Sequence, residues 1–202
     1  MYREILQGSV KEVIPMKKEF EPACWLYPEP VLVIAAKDGE GKEDAMVAAW
    51  GGIFDTNQIG FTLDHTHKTT ANIRETKAFT VSIPTAALMA ATDYLGTVSG
   101  NRVEGKIEKA GLHTVPAKTV NAPVIEEYPL TFECELVQTY PIGEDFHFVG
   151  QIKKILADES ILTDGRIDYR KADFLSFDPV GRTYVRLGET AGHCWQEGKK
   201  FL

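Results

Sequence analysis

The feature that most restricts the fold is how closely the strand-like segments follow one another. "PVLVIAAK" (30–37) runs through "DGEGKE" into "DAMVAAWGGIF" (44–54), and "IGFTL" (59–63) follows almost at once. β-branched and aromatic residues dominate these runs, and turn-forming residues bound them. A crossover between parallel strands needs a dozen or more residues, whereas these connections have hairpin length, so the segments pair antiparallel. The pattern resumes in "AFTVSIP" (78–84), "LTFECELVQTY" (130–140), "FHFVGQIKKILA" (146–157) and "GRTYVRL" (181–187). Within "TFECEL", Phe132, Cys134 and Leu136 face one way and Thr131, Glu133 and Glu135 the other. Helices are predicted over 70–78, with Thr69 or Thr70 as N-cap, over 85–96, and over 103–111 with Gly111 as the stop. This order fits an antiparallel barrel with a few short peripheral helices. The 202 residues suffice for one domain with a substantial core, and no linker or repeat divides 1–202.

Charge and composition narrow the function. A net charge of -7 without a long basic run argues against nucleic acid as a partner, but leaves room for a small anion held locally. The N-terminal stretch has no apolar signal core, and the longest apolar runs fall far short of the ~20 residues of a membrane span, so no membrane partner is expected. Cys24, Cys134 and Cys194 are odd in number and widely spaced, without zinc or CxxC spacing. They read as free thiols, which points to a cytoplasmic chain.

"DHTHKTTANI" (64–73) is the most polar candidate site. On an extended segment His65 and His67 would point to one side, as a metal pair does. A zinc site needs three or four ligands, and beyond Asp64 nothing completes the set, because His113, His147 and His193 have no paired spacing. No metal is expected. As an anion cradle the stretch offers the Lys68 ammonium and the Thr69 and Thr70 hydroxyls at a helix start, where free N–H groups and the positive dipole end converge. The alternative is a solvated, capped helix start.

In "DAMVAAWGGIF" the small residues Ala48, Ala49, Gly51 and Gly52 flank Trp50. Such residues let a flat ligand approach the backbone, or let the strand pack tightly on a neighbour. The stretch 93–112 carries Gly96, Gly100 and Gly105 with donors on Ser99, Asn101, Arg102 and Lys106, either a loop closing over a ligand or a polar connection. His147 reads as a packing residue. A small-residue strand and an anion cradle one hairpin apart together suit a mononucleotide.

In order, "PVLVIAAKDGEGKEDAMVAAWGGI", "HKTTANIRETKAFTVSIP", "DYLGTVSGNRVEGKIEKAGL", "NAPVIEEYPLTFECEL" and "RTYVRLGE" resemble the flavin reductase-like proteins, a branch of the FMN-binding split β-barrels that includes the flavoredoxins. The resemblance implies a homodimer of split barrels, each holding FMN non-covalently. The flavin ring would lie along Met46, Val47, Ala48, Ala49 and Trp50, and its phosphate at His67, Lys68, Thr69 and Thr70, with Leu63 and Asp64 leading in. Ser99 and Lys106 would come near the cofactor. The implied activity is NADH- or NADPH-dependent flavin reductase chemistry passing a hydride through bound FMN, with no obligate catalytic side chain. The acceptor would be a small-molecule redox partner or a redox protein. The alternative is a flavoredoxin-type electron carrier without pyridine-nucleotide activity. The chain departs from the family at Asp44 and Val47, where "NAMT" is frequent, and at Gly105-Lys106-Ile107, where Asp-Lys-Phe is usual. It also departs at Asp145, where several members carry a histidine; His147 follows on the same strand face.

Overall fold

The structure, a computed structural model, describes residues 2–5 and 12–202, with side chains described from Met16 onward. Seven strands build the main sheet: β1 (Leu32–Lys37), β2 (Glu43–Ala48), β3 (Gly51–Asp55), β4 (Gln58–Leu63), β5 (Ala78–Ile83), β6 (Leu130–Ile142) and β7 (Asp145–Ala157). Their order across the sheet is β2-β1-β5-β6-β7-β4-β3, and every neighbouring pair is antiparallel. The edge strands β2 and β3 are separated in sequence only by Ala49 and Trp50. A flat seven-stranded sheet would hold its edges roughly 29 Å apart, whereas the link between them reaches about 11 Å. The sheet therefore curls until its edges meet. They meet through this link and not through a continuous ladder, so the barrel is split there. The single strand expected over 44–54 is accordingly two strands, because the chain passes at Ala49–Trp50 from one edge of the sheet to the other.

The unbroken apolar run of β1 follows from burial on both of its faces. Leu32, Ile34 and Ala36 face the barrel interior with Phe61, Phe79 and Phe148. Val33 and Ala35 face a second cluster with Leu95, Ile107, Leu112 and Tyr128. The helices are α1 (Lys68–Thr76), α2 (Met89–Thr97), α3 (Lys106–Lys109) and α4 (Tyr169–Ala172). None is long and apolar enough to cross a membrane.

Two expectations change here. Helix α1 starts earlier than predicted and has His67 as its N-cap; Thr69 and Thr70 fall in its first turn, their hydroxyls taken by other partners. The helix stops without glycine, on Lys77 at φ 58°. On the polar face of β6, Glu135 is exposed but Glu133 is fully buried and accepts the main-chain N–H groups of Lys118 at 3.0 Å and Thr119 at 2.8 Å. Burial pushes its carboxyl up, but these bonds and the Thr119 hydroxyl outweigh it and leave the pKa lowered.

A small sheet joins Glu29–Pro30 and Leu175–Asp178, which the periodicity did not signal, to Thr183–Arg186, which lies within the strand expected over 181–187. Beyond α3, His113 Nδ1 lies 2.6 Å from the Glu127 carboxylate, which holds the histidine above its ordinary pKa. Burial pushes Glu127 up, but the His113 hydrogen bonds prevail and lower it. Between these two pKa values both groups are charged and the pair stabilises the fold. That contribution is lost as pH rises through the raised His113 value, and again as pH falls through the lowered Glu127 value. His113→Gln should flatten the alkaline limb in a series of thermal midpoints from about pH 5 to 9; an unchanged slope would remove the pair from the pH dependence.

Candidate functional site

The end of β2 and the Ala49–Trp50 link form one wall of a cavity of about 420 Å³. Met46, Val47, Ala48, Ala49 and Trp50 line it, and Thr62, Leu63 and Asp64 enter from the end of β4. His67 and Asp145 complete the lining. This volume falls within the ~300–1,000 Å³ of typical small-molecule sites. A smaller cavity of about 100 Å³ adjoins it beneath the start of α1, lined by His67, Lys68 and Thr69 against Ser99, Gly100 and Lys106. Met46 and His67 line both cavities, so the strand pocket and the helix start form one continuous site.

The helix end facing this site is electropositive and unspent. No side chain caps α1, and its first turn holds no acidic residue. The first intrahelical bond runs from Ala71 N–H to His67 C=O at 3.2 Å, leaving the preceding N–H groups without helical partners. His67 Nδ1 is buried and has no hydrogen-bond partner among the described residues. A buried polar atom in that state awaits a donor or acceptor from a ligand or solvent. The pocket thus offers a slot beside small residues and, at one end, dipole and donors for an anion.

Beneath the cradle runs a buried polar network. Asp44 on β2 accepts the Thr69 hydroxyl through Oδ2, while its Oδ1 lies 3.3 Å from Lys106 Nζ. Lys106 is 3% exposed and also donates to the carbonyls of Val98 at 2.9 Å and Leu95 at 3.3 Å. Its three ammonium hydrogens are therefore committed within the fold. Gly100 passes so close to Asp44 that an added Cβ would lie 2.2 Å from Oδ1, and only glycine fits. Asn101 Nδ2 donates to Thr66 C=O at 2.8 Å, so the loop carrying Ser99 is tied to the segment before α1.

Of the sequence-predicted residues, all but Thr70 line one of the two cavities. Thr70 turns its hydroxyl to Asp64 C=O at 2.8 Å and faces the helix start only through its main chain. Lys68 donates to Asp38 at 2.7 Å, which holds that carboxyl below the usual range. This bond uses one of the ammonium's three hydrogens. The two histidines of "HTH" part company: His67 occupies the N-cap position of α1 without a side-chain cap bond, while His65 Nδ1 lies 3.4 Å from Asp145 Oδ1. Ligand atoms of Asp64, His65 and Asp145 gather within 4.8 Å of one another, but Asp64 Oδ1 already accepts Thr66 N–H at 2.7 Å and its hydroxyl at 2.6 Å. Sequence reasoning missed Thr62, which carries no local signal, and the pairing of Asp44 with Lys106, which spans three elements.

The family model described as "Flavin reductase like domain" matches residues 25–173. The structure of flavoredoxin of Desulfovibrio vulgaris (Miyazaki F) has TM-score 0.85 and 34% identity, covering 91% of this chain and 100% of that one. Flavoredoxin from Methanosarcina acetivorans has TM-score 0.85 and 29% identity, covering 93% and 100%. An uncharacterized protein of Archaeoglobus fulgidus is 32% identical over 146 residues, 71% of this chain and 80% of its own length.

Proposed function

The chain belongs to the flavin reductase-like domain family, and from that premise we propose that it is an FMN-holding oxidoreductase drawing electrons from NADH or NADPH for an acceptor. The observation that carries the FMN assignment is the union of the strand pocket with an uncapped helix start at Met46 and His67, where His67 Nδ1 lies buried without a partner among the described residues. The residues fit the group. Met46, Val47, Ala48, Ala49 and Trp50 would hold the ring, the small side chains admitting it to the backbone. His67, Lys68 and the first-turn N–H groups of α1 would hold the phosphate, and Ser99 would stand beside it. When bound, FMN supplies the two-electron redox chemistry. The chain's own part is to bind, orient and exclude water; no side-chain nucleophile is required. Lys68 serves affinity more than rate, since an interaction equal in ground and transition states does not lower the barrier.

A specific observation favours a second reading, a flavoredoxin-type electron carrier. Among the described residues no lysine or arginine lines the strand pocket, so nothing there offers a cation to a dinucleotide's phosphates, and the 34%-identical neighbour is a flavoredoxin. Anaerobic mixing of the FMN-loaded protein with NADH or NADPH separates the two. Rapid bleaching of the flavin supports the reductase, and bleaching no faster than free FMN supports the carrier.

The cofactor itself is tested by titration. At 100 times its dissociation constant FMN should add about 2.7 kcal/mol of stability. Lys68→Ala should weaken FMN by about tenfold or more, the loss of one charge-assisted hydrogen bond, while riboflavin, which lacks the phosphate, binds as before. Equal losses for both ligands would place the phosphate elsewhere. We also propose a homodimer, because Val137, Tyr140 and Ile142 of β6 are exposed apolar side chains on one strand. A monomeric mass in sedimentation at micromolar concentration would refute it.

A further inference from the structure

The cradle at the start of α1 opens, on the side of Lys68 away from the ring pocket, into a cleft of about 580 Å³. The turn between β1 and β2, the flank of α1 and the loop from Gly100 to Gly105 wall it. Asp44, Lys68 and Gly100 line both cradle and cleft, so the two are continuous. No described residue lines both the cleft and the strand pocket. The three spaces therefore follow one another as ring pocket, cradle and cleft, and a cofactor that continues past the cradled group has the cleft to enter.

Charge reverses across Lys68. The cradle has the free N–H groups of α1 and a neutralised Asp44–Lys106 pair. The cleft has the carboxylates of Asp38, Glu40, Glu43, Glu75 and Glu104, with Lys42 and Lys68 as its cations. Lys42 is a weak counter-ion: its side chain is 63% exposed and its Nζ lies 3.7 Å from Glu40. Lys68 is fixed at the boundary by Asp38. Asp38 Oδ1 accepts the main-chain N–H groups of Glu40 at 3.0 Å and Lys42 at 2.9 Å, which holds the carboxyl in the turn. Its Oδ2 takes the Lys68 ammonium. Glu75 lies against the same turn, its Oε1 2.3 Å from where a Cβ on Gly39 would be.

Building on the FMN reading, we propose that this cleft is a charge filter at the phosphate end of the site. It admits a flavin that ends in one phosphate monoester and rejects one that continues through a diphosphate, so the chain selects FMN over FAD. A terminal phosphate puts its whole charge in the cradle, where the helix dipole and the remaining Lys68 hydrogens meet it. In FAD one charge stays in the cradle and the second phosphate stands among the carboxylates, with Lys68 already shared between Asp38 and the first phosphate. Size does not make the exclusion, because the cleft has the volume of an ordinary small-molecule site. Like charges in a confined cleft do, and salt weakens their effect.

The test titrates the full chain with FMN, FAD and riboflavin by calorimetry over a series of potassium chloride concentrations. At low salt FMN should bind about a hundredfold more tightly than FAD, from the repulsion of one further phosphate charge by several carboxylates. Raising the ionic strength from about 0.01 M to about 1 M shortens the screening length from about 30 Å to about 3 Å. FMN should then weaken, the FMN-to-FAD ratio should narrow, and riboflavin should not respond. Glu75 and Glu104 are exposed, so altering them spares the core. The double variant Glu75→Gln, Glu104→Gln should gain about tenfold in FAD affinity at low salt, with riboflavin unchanged and FMN moved by no more than about threefold. Thermal unfolding checks that the variant keeps its fold; if it does not, the salt series on the unaltered protein decides. FAD binding as tightly as FMN at low salt, a ratio that salt leaves unchanged, or a folded double variant with the wild-type ratio would overturn the filter while the FMN reading stands. Failure of FMN itself to bind would bring down the cofactor reading, and the filter with it.

Discussion

Replacing Lys106 by Met is expected to destabilise the fold by about 3–5 kcal/mol, as loss of one member of a buried charge pair does. Lys106 and Asp44 have side chains only 3% and 5% exposed, so the orphaned carboxylate could not turn to water. The two main-chain carbonyls, of Leu95 and Val98, would lose their donor as well. Asp44→Asn in the same chain should recover most of the loss by removing the uncompensated charge, and it leaves an acceptor for the Thr69 hydroxyl. Urea unfolding of the wild type, both single variants and the double variant measures the coupling. A Lys106→Met loss below about 1 kcal/mol, or a double variant no better than the single, would sink the idea of a neutralised strut. Flavin affinity should fall along with stability, because the same ammonium holds the chain at 95–98, next to Ser99, against the start of α1.

Phe61→Ala should cost a comparable amount, about 3–5 kcal/mol, but for a different reason. Phe61 is fully buried in the barrel; its ring meets Phe79 edge-on at 5.1 Å and lies 6.0 Å from Phe148. Removing it takes apolar surface out of a close-packed core and leaves a cavity whose walls sit on strands β5 and β7, tied into ladders on both edges. Those walls cannot collapse inward without breaking main-chain hydrogen bonds. Phe61→Leu should cost clearly less, and chemical denaturation of the two variants gives the comparison. A small loss on Phe61→Ala would mean that the barrel interior repacks freely. Leu63 lies two residues on and lines the strand pocket, so weaker flavin binding should accompany the loss.

Much of the architecture was legible locally. Hairpin-length connections require antiparallel neighbours, and the unbroken apolar run of β1 anticipates burial on both of its faces. "HKTT" announced a helix start rich in donors, and the alanines before Trp50 announced a backbone open to close approach. The partners of polar side chains were not legible. Thr69 reads as a donor to a ligand, yet its hydroxyl reaches Asp44, 25 residues earlier. Lys106 reads as a loop donor near the cofactor, yet burial commits it to carbonyls and a carboxylate. Alternation groups Glu133 with Thr131 and Glu135, but says nothing about the loop at 118–119 that returns to cover it.

By itself the sequence determined most of the main-sheet strands, their antiparallel pairing and the two segments of the candidate site, since these follow from periodicity and connection length within a few residues of chain. The tertiary structure alone decided where the barrel splits, which donors stay free, and that Glu29 lies buried beside Trp50. The ladder that pins Glu29 comes from Leu175–Asp178, the Ser176 hydroxyl reaching it across 147 residues of chain. Burial and hydrogen-bond satisfaction depend on what the rest of the chain brings to a point in space, and no local pattern carries that information.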